Sequence, residues 1–555
     1  MLLFQKIYDI LTRHVLTKQT LKGTKAMKKI ISMLLCLVML LAMTACGGNS
    51  SSDTSTGSDN EQTAQDVLYH VYHSSPFVTL DPSTEYSNGI LVLQNVYETL
   101  TYYNSETGEL EPKLATEWSS NDEGTVWTFK LREDVTFHDG TKMTSADVKA
   151  SMERTLALGQ GAAYNWSAVE SVETNGDYEV IFNCAYSAPV DLIASSGYAA
   201  YVMSAEAVQH DVEWFNAGND GGTGPYTIAQ VSGQDTVVLQ AYDAYWGGWA
   251  DNQYKTVLIK EVLESSARRQ MLETGEAQLG ESFSSTDLEA LQANENLVAS
   301  KFDTWTNAIA FLNSEKYPCN NADFRRALAY AFPYEEAVTG VLSGNASASY
   351  GMVPSGMWGH DEGLMQYGKD MAKAQEYLTA SGVDVSTIEL DATYVSGYEE
   401  YSSILQIWQA NLRELGITLN IRGMEWDAQW AEAQSVNPED RQDILLMRWW
   451  PDYASPSSWF DALVLSEESI SFNLAYIRDA ELDEMIMTAD AAVANDRDTA
   501  EDLYVQVQEK LLEESPMIFM YDDSHTFITN KSISGLYENP AYAYVIHYYD
   551  IVKNG

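Results

Sequence analysis

Basic residues and histidines are scarce in this sequence, and so are the short motifs that announce catalysis. The chain carries 32 Lys and Arg against 80 Asp and Glu, for a formal charge of −48. That balance makes nucleic acid and anionic lipid surfaces poor partners for the folded body. A solvated acidic surface is the plain consequence, and it would steer cationic or zwitterionic solutes. With 8 histidines in 555 residues, metal chemistry has little to draw on. His70 and His73 lie three apart in a run that reads as a strand, which puts them on opposite faces. His138 belongs to a turn and is expected to be exposed. There is no His-Glu-x-x-His pair and no Gly-x-Ser-x-Gly elbow. The run Gly363–Asp370, GLMQYGKD, has the glycines and lysine of a phosphate loop. However, Asp370 stands where a Ser or Thr would hold magnesium, and no apolar strand precedes it. No enzyme, cofactor or metal is expected.

Cysteines are also few, at 4. Cys36 and Cys46 sit in or just after an N-terminal apolar run. Cys184 and Cys319 are so far apart in sequence that free thiols are expected. Long apolar runs are limited to Ile30–Met43, which is short for a spanning helix. From Met27 the order is two lysines, that apolar run, then Met-Thr-Ala-Cys and a polar stretch, the plan of a signal peptide. Thr44 and Ala45 directly before Cys46 resemble a bacterial lipobox, in which the cysteine is lipidated and becomes the first residue. Residues 1–26 read as an over-long gene start, 27–45 as the signal, and 46–66 as the lipidated cysteine plus a Ser/Gly/Thr tether. A tether behind a lipid holds a body at a membrane without spanning it.

A chain of this length calls for two or three domains. From Val67 strands and helices alternate without repeat or low-complexity interruption. "VLYHVYH" and "WTFKLREDVTF" alternate as strands do, and "HDG" is a hairpin-type turn. Thr144 is placed to cap a helix, with Asp147 three residues on. "NADFRRALAYAF" reads as a helix, and Pro333 suits the first turn of the next one. "TIELDATYV", "SSILQIWQANLRELG" and "ITLNIRG" form a strand, an amphipathic helix ending at Gly416 and a second strand, hence a βαβ unit with a parallel pair. A helix over Thr499–Glu513 leads to a last strand, "MIFMYDD".

One stretch raises a chemical question. In "MRWWPDYASPSSWF", Met447–Phe460, the carboxylate of Asp452 is set among Trp449, Trp450, Pro451 and Tyr453. An ionised aspartate removed from water needs a partner. The residues alone leave three open: the turn before Ser455-Pro456, the guanidinium of Arg448, and a cationic ligand.

The segment Pro112–Arg154, "PKLATEWSSNDEGTVWTFKLREDVTFHDGTKMTSADVKASMER", resembles the signature of family 5 extracellular solute-binding proteins. That family serves ABC importers of peptides, nickel chelates and some oligosaccharides. Further blocks follow the family's order: "LDPSTEYSNGILVLQNVYETL", "GTGPYTI", "IAFLNSEKYPCNNADFRRALAYAF", "YGKDMAKAQEYLTASGV" and "RWWPDYASPSSWF". A departure is Pro333-Tyr334, where the family usually has Asp-Arg. The resemblance implies an α/β, two-lobe, periplasmic-binding-protein-like fold of the large peptide-binding type, with a discontinuous first lobe. Lobe one would comprise 67–305, with an inserted subdomain near 91–205, and lobe two would comprise 306–520. Residues 521–555 would return to lobe one, and the two crossings, near Thr304–Ala310 and Met520–Asp523, would form the hinge.

The same resemblance gives Asp452 the peptide's α-ammonium as partner, with Trp449, Trp450 and Tyr453 walling it off from water. Tyr86, Ser87 and Asn88 would offer an edge to the peptide backbone. Trp305, Tyr394, Trp426 and Tyr521 are expected at strand ends or crossings, as pocket walls or as core. Arg448 or Arg422 could meet a ligand carboxylate. The implied partners are a peptide, ABC permease and ATPase subunits, and a membrane reached through the lipid on Cys46. The expected protein is a monomer, exported and anchored on the outer face of the cytoplasmic membrane of a Gram-positive bacterium. Competing readings are an oligosaccharide or nickel-chelate binder, a peptide sensor, and an exported hydrolase.

Overall fold

The computed structural model describes residues 67–554. The expected gene-start extension, signal, lipidated Cys46 and tether all lie outside the described residues. Two long antiparallel strands, Leu297–Leu312 and Met517–Asn530, organise everything else. Their ladder runs from Leu297↔Asn530 to Asp303↔Ser524, breaks register, and resumes from Asn307↔Asp522 to Phe311↔Met517. A break of this kind bends and twists a sheet locally. Thr304 sits inside it, its Oγ1 donating to Asp523 O at 2.9 Å.

Different strands attach on either side of the break. At one end Leu279–Glu281 pairs antiparallel with Met517–Asn530. Val67–Tyr72 lies beside it, parallel to both Leu279–Glu281 and Thr256–Glu261. Thr236–Ala241 and Tyr226–Ser232 complete that body as antiparallel neighbours. At the other end Ile444–Trp449 pairs antiparallel with Leu297–Leu312. Next come Glu389–Val395 and Thr418–Met424, parallel to each other as the βαβ reading requires. Their helix spans Glu399–Glu414 and buries Tyr401, Ile404, Leu405, Trp408 and Leu412. Gly416 follows it at φ +79°, a conformation that glycine adopts without strain.

Between Val67–Tyr72 and Tyr226–Ser232 the chain inserts a smaller unit. Its four antiparallel strands are Ala115–Ser120, Val126–Leu131, Glu179–Cys184 and Val169–Thr174. The helix Ser145–Leu158 packs on it, opened by the expected capping box of Thr144 and Asp147. The apolar core of this insert (Trp127, Phe129, Trp166, Phe182) runs on without interruption through Trp305 into Trp459, Phe460 and Tyr504 beyond the crossing strands. Cys184 and Cys319 are both free and buried, as expected. Among the described residues no helix is long and apolar enough to cross a membrane.

Two histidine expectations are corrected. His138 is not exposed: its imidazole meets Asp220 Oδ1 at 2.5 Å and Gly224 O at 2.9 Å, deep beside the turn. His70 and His73 do not point apart either. The strand stops at Tyr72, so alternation does not carry to His73, and both rings approach Glu281.

The loop 81–89 is fixed from within. Arg154, on the insert's helix, makes two parallel 2.7 Å bonds to the carboxylate of Asp81, which is 1% exposed. The buried carboxyl of Glu85 accepts from the backbone N–H groups of Thr79, Ser87 and Gly89. Arg154→Met should destabilise the protein by about 3–5 kcal/mol, because it strands the Asp81 charge. The double substitution Asp81→Leu with Arg154→Met should recover part of that loss. Urea unfolding of the two variants is the check, and equal loss in both would show that packing rather than charge holds the loop.

Candidate ligand cavity

The register break leaves a cavity of about 820 Å³ between the two bodies. One wall comes from the ends of strands on the first side: Tyr72, His73, Ser87, Asn88 and Glu281. The opposite wall comes from the second side: Val341, Leu342, Tyr398, Glu400, Arg448 and Trp450. The crossing itself contributes Asp523, Ser524, His525 and Thr526, and the C-terminal segment adds Tyr544. The position obeys a general rule of α/β proteins, that clefts form beyond the carboxyl ends of parallel strands. Tyr398–Glu400 follow the end of Glu389–Val395, and His73 follows the end of Val67–Tyr72.

The charges in this cavity are largely matched to one another. Arg448 reaches Glu400 Oε1 at 3.0 Å and Asp523 Oδ2 at 3.1 Å, with Tyr398 and Tyr401 against its guanidinium plane. Burial would pull this guanidinium's pKa down, but Asp523 outweighs it and holds the cation firmly charged. His525 meets Glu538 at 2.7 Å. Burial opposes its charge, yet Glu538 pushes the imidazole up to about 9. Tyr544, held at φ +64°, closes the wall with its ring 4.8 Å from His525 and 5.9 Å from Trp450.

Asp452 stands just past the strand Ile444–Trp449, in the loop behind Trp450. Its backbone is pinned: N donates to Ser458 Oγ at 2.7 Å, and O accepts from Ser196 Oγ at 2.5 Å. Its Oδ2 accepts from the hydroxyl of Tyr164 at 2.8 Å and from Ser458 Oγ at 3.4 Å. No Lys, Arg or His among the described residues pairs with it, and its Oδ1 accepts no hydrogen bond from them. Burial pushes the carboxyl up to about 7, and the Tyr164 and Ser458 bonds draw it part of the way back. The pairing with Arg448 left open by the sequence is not made, because that guanidinium is occupied by Glu400 and Asp523.

The remaining expected residues divide sharply. Ser87, Asn88, Arg448 and Trp450 face the cavity. Trp449 is buried, donating to Ser458 O at 3.0 Å and packing on Phe472. Tyr453 is buried against Ser457. Trp305 packs edge-on to Tyr103, and Tyr521 is fully buried in the crossing strand. These four are core, and strand ends so deep in the protein have no cleft to face. Tyr394 leans on Gly423, Trp426 is 44% exposed and stacks on Trp430, and Tyr86, within the loop 81–89, is 60% exposed. Arg422 is taken up by Glu432. Asp452 itself is not among the residues that line the cavity, although Trp450, two residues before it, is.

Several cavity residues escaped sequence reasoning, namely Glu281, Tyr398, Glu400, Asp523, His525 and Tyr544. For one of them a signal was present. Asp523 in "MIFMYDD" stands at the end of an apolar run, much as Asp452 stands among aromatics.

Comparisons with known proteins bear on this arrangement. The family described as bacterial extracellular solute-binding proteins, family 5 Middle, matches residues 109–470. The chain is 27% identical over 475 residues to the probable D,D-dipeptide-binding periplasmic protein DdpA of Escherichia coli K12, covering 83% of this chain and 90% of that protein. It is 24% identical over 550 residues to the dipeptide-binding protein DppE of Bacillus subtilis, covering 93% and 98%. Among solved structures, Helicobacter pylori DppA in complex with the peptide STSA superposes with a TM-score of 0.75 at 21% identity, over 88% of this chain and 98% of that one. Staphylococcus aureus NikA in complex with Ni(L-His)2 gives 0.73 at 15% identity, over 88% and 100%. The two-lobe periplasmic-binding-protein-like fold expected from the sequence is the fold of this chain.

The raised pKa of Asp452 has a defined sign for stability. A carboxyl that prefers its neutral form when folded costs stability as pH rises from its unfolded value towards its folded one. Asp452→Asn should therefore stabilise the protein by about 1–3 kcal/mol near neutral pH, a range reduced for the group's partial solvent contact. The gain should shrink towards about pH 4, where wild-type Asp452 is also neutral. Thermal melts of both proteins across that range measure it, and a gain independent of pH would exclude the burial account.

Proposed function

The chain belongs to the family 5 bacterial extracellular solute-binding proteins, and we propose that it captures peptides between its lobes and delivers them to the permease and ATPase subunits of an ABC importer. The observation that carries the peptide reading is Asp452: a half-buried carboxylate next to the cavity-lining Trp450, with one oxygen that accepts no hydrogen bond from the described residues and no cation supplied by them. An α-ammonium is common to all unblocked peptides, so a single anchor of this kind recognises the class. A charge-assisted hydrogen bond in such a setting contributes about 1.5–3 kcal/mol. The names of the relatives DdpA and DppE, both dipeptide-related, support the same choice. Closure would turn on the register break, with lobe one at 67–305 and 521–555 and lobe two at 306–520. In this reading the protein is an exported, non-catalytic monomer. It is tethered through a lipid on Cys46 to the outer face of a Gram-positive cytoplasmic membrane.

Binding a peptide's ammonium requires ionised Asp452, whose carboxyl is pushed up to about 7 in this structure. Capture near pH 6 should therefore release close to one proton, and affinity should weaken as pH falls below about 7. Asp452→Ala should cost about 2–5 kcal/mol of peptide binding. N-acetylation of a peptide first identified by mass spectrometry of the co-purified ligand should cost a comparable amount. Calorimetry in buffers of different ionisation enthalpy measures both quantities. Unchanged affinity in the variant, with no proton released, would remove Asp452 from the site.

A further inference from the structure

Glu281 is a carboxylate with unused bonding capacity that lines the cavity itself. It ends the short strand Leu279–Glu281, wedged between Val67–Tyr72 and Met517–Asn530, and is 5% exposed. Its Oε1 is buried and accepts no hydrogen bond. The nearest nitrogens, His73 Nδ1 at 3.6 Å and His70 Nε2 at 4.0 Å, are too far for one and are themselves without partners. His70 cannot supply a full positive charge: burial lowers its pKa to about 4, and its Nδ1 is engaged with the Tyr548 hydroxyl at 2.8 Å. The carboxylate of Glu281 is nonetheless held in its charged form. Burial alone would raise its pKa, but His73, His70 and His525 together draw it below the usual value.

The backbone that carries Glu281 is locked. Arg268, 3% exposed, spends its guanidinium on carbonyls: Glu281 O at 3.2 Å, Val262 O at 2.5 Å, Leu263 O at 2.7 Å, and Ser282 O. Ser282 follows at φ +55°, a left-handed conformation that a serine holds only when its surroundings impose it. An aimed and immobile carboxylate is what a recognition site needs.

The rest of the cavity leans the same way. Glu399, Glu400 and Asp523 line it together with Glu281, against Arg448, His525 and His73. Arg448 is shared between two of those carboxylates, and His525 is matched by Glu538. Arg448 and His525 are thus engaged, whereas Glu281 has only the His73 imidazole, 3.6 Å away, as its ionic neighbour in the lining, and its Oε1 still has no hydrogen-bond donor.

We propose that Glu281 anchors a cationic side chain of the ligand, an ammonium or guanidinium, and that the cavity therefore selects ligands of net positive charge. The inference rests on the cavity being the ligand site, as in the function proposed above, and adds a charge preference to it. Calorimetry on wild type, Glu281→Gln and Glu281→Asp with Ala-Lys-Ala, Ala-Met-Ala and cadaverine tests it. Wild type should favour the lysine peptide over the methionine peptide by about tenfold. Glu281→Gln should erase most of that preference while leaving Ala-Met-Ala within about threefold of wild type. Glu281→Asp, which keeps the charge, should retain part of the preference at lower affinity for the lysine peptide.

Equal wild-type affinity for the two peptides, or a lysine preference that survives both substitutions, overturns the proposal and leaves peptide capture standing. Cadaverine binding that is lost in Glu281→Gln, without binding of either peptide, supports the cation anchor and overturns the peptide reading. Binding of none of the three probes overturns both. If Glu281→Gln melts too low to be assayed, the comparison of wild type with Glu281→Asp decides, since an unchanged preference in that variant refutes the anchor.

Discussion

The antiparallel pairing of Leu297–Leu312 with Met517–Asn530 is the constraint from which the other features follow. Two strands of this length cannot stay in one register while serving two separately packed bodies, and the mismatch is concentrated between Asp303 and Asn307. On one side of that break the strands hold the sheet that positions Glu281 and the loop 81–89. On the other they hold the strand that ends at Trp449 and so places Arg448, Trp450 and Asp452. The cavity is the gap that this discontinuity leaves, and its walls are strand ends because strands stop where the two sheets part.

Charge handling around the gap follows a consistent division of labour. Carboxylates that hold the frame are saturated: Asp81 by the fork of Arg154, and Glu85 by three backbone N–H groups. Asp452 and Glu281, at or next to the cavity wall, are among the carboxylates left partly unsatisfied. Asp452 keeps one oxygen unused, and Glu281 is flanked by imidazoles just out of bonding range. Burying an unmet charge is costly, and the fold tolerates it at these places because Arg268 and the Ser196 and Ser458 hydroxyls fix the backbone there. In the frame, by contrast, a stranded charge would simply loosen the structure.

Periodicity made much of this architecture legible. The βαβ unit, the Thr144–Asp147 cap and the helix before the last strand are encoded locally, in residues that need only their neighbours. The family resemblance supplied the two-lobe topology, which no local pattern contains. Side-chain placement was less readable. Trp305, Tyr394, Trp426 and Tyr521 were left open between pocket wall and core, and none of them lines the cavity. A strand end looks the same in sequence whether it opens on a cavity or on a core. Histidines were misjudged for a related reason: Asp220 lies 82 residues from His138, and the strand's early end at Tyr72 turns His73 towards Glu281. Pairings over such distances leave no trace in spacing. The most transferable signal proved to be an acid beside an apolar run. It marked Asp452, and applied evenly it also marks the Asp522–Asp523 pair.

Arg448 has a mechanical consequence. It joins Glu400, on the second body, to Asp523, at the register break itself. A rotation of one body against the other that separated these groups would have to break the Arg448–Asp523 contact, so the ion pair favours the angle at which it forms. Because both groups are largely buried, dissolved salt hardly reaches the pair, and its strength is set by geometry. The acidic exterior is the opposite case, since its long-range pull on solutes fades as ions are added. Collecting a solute and swinging shut on it are thus governed by two electrostatic regimes in one molecule, the first tuned by the medium and the second insulated from it.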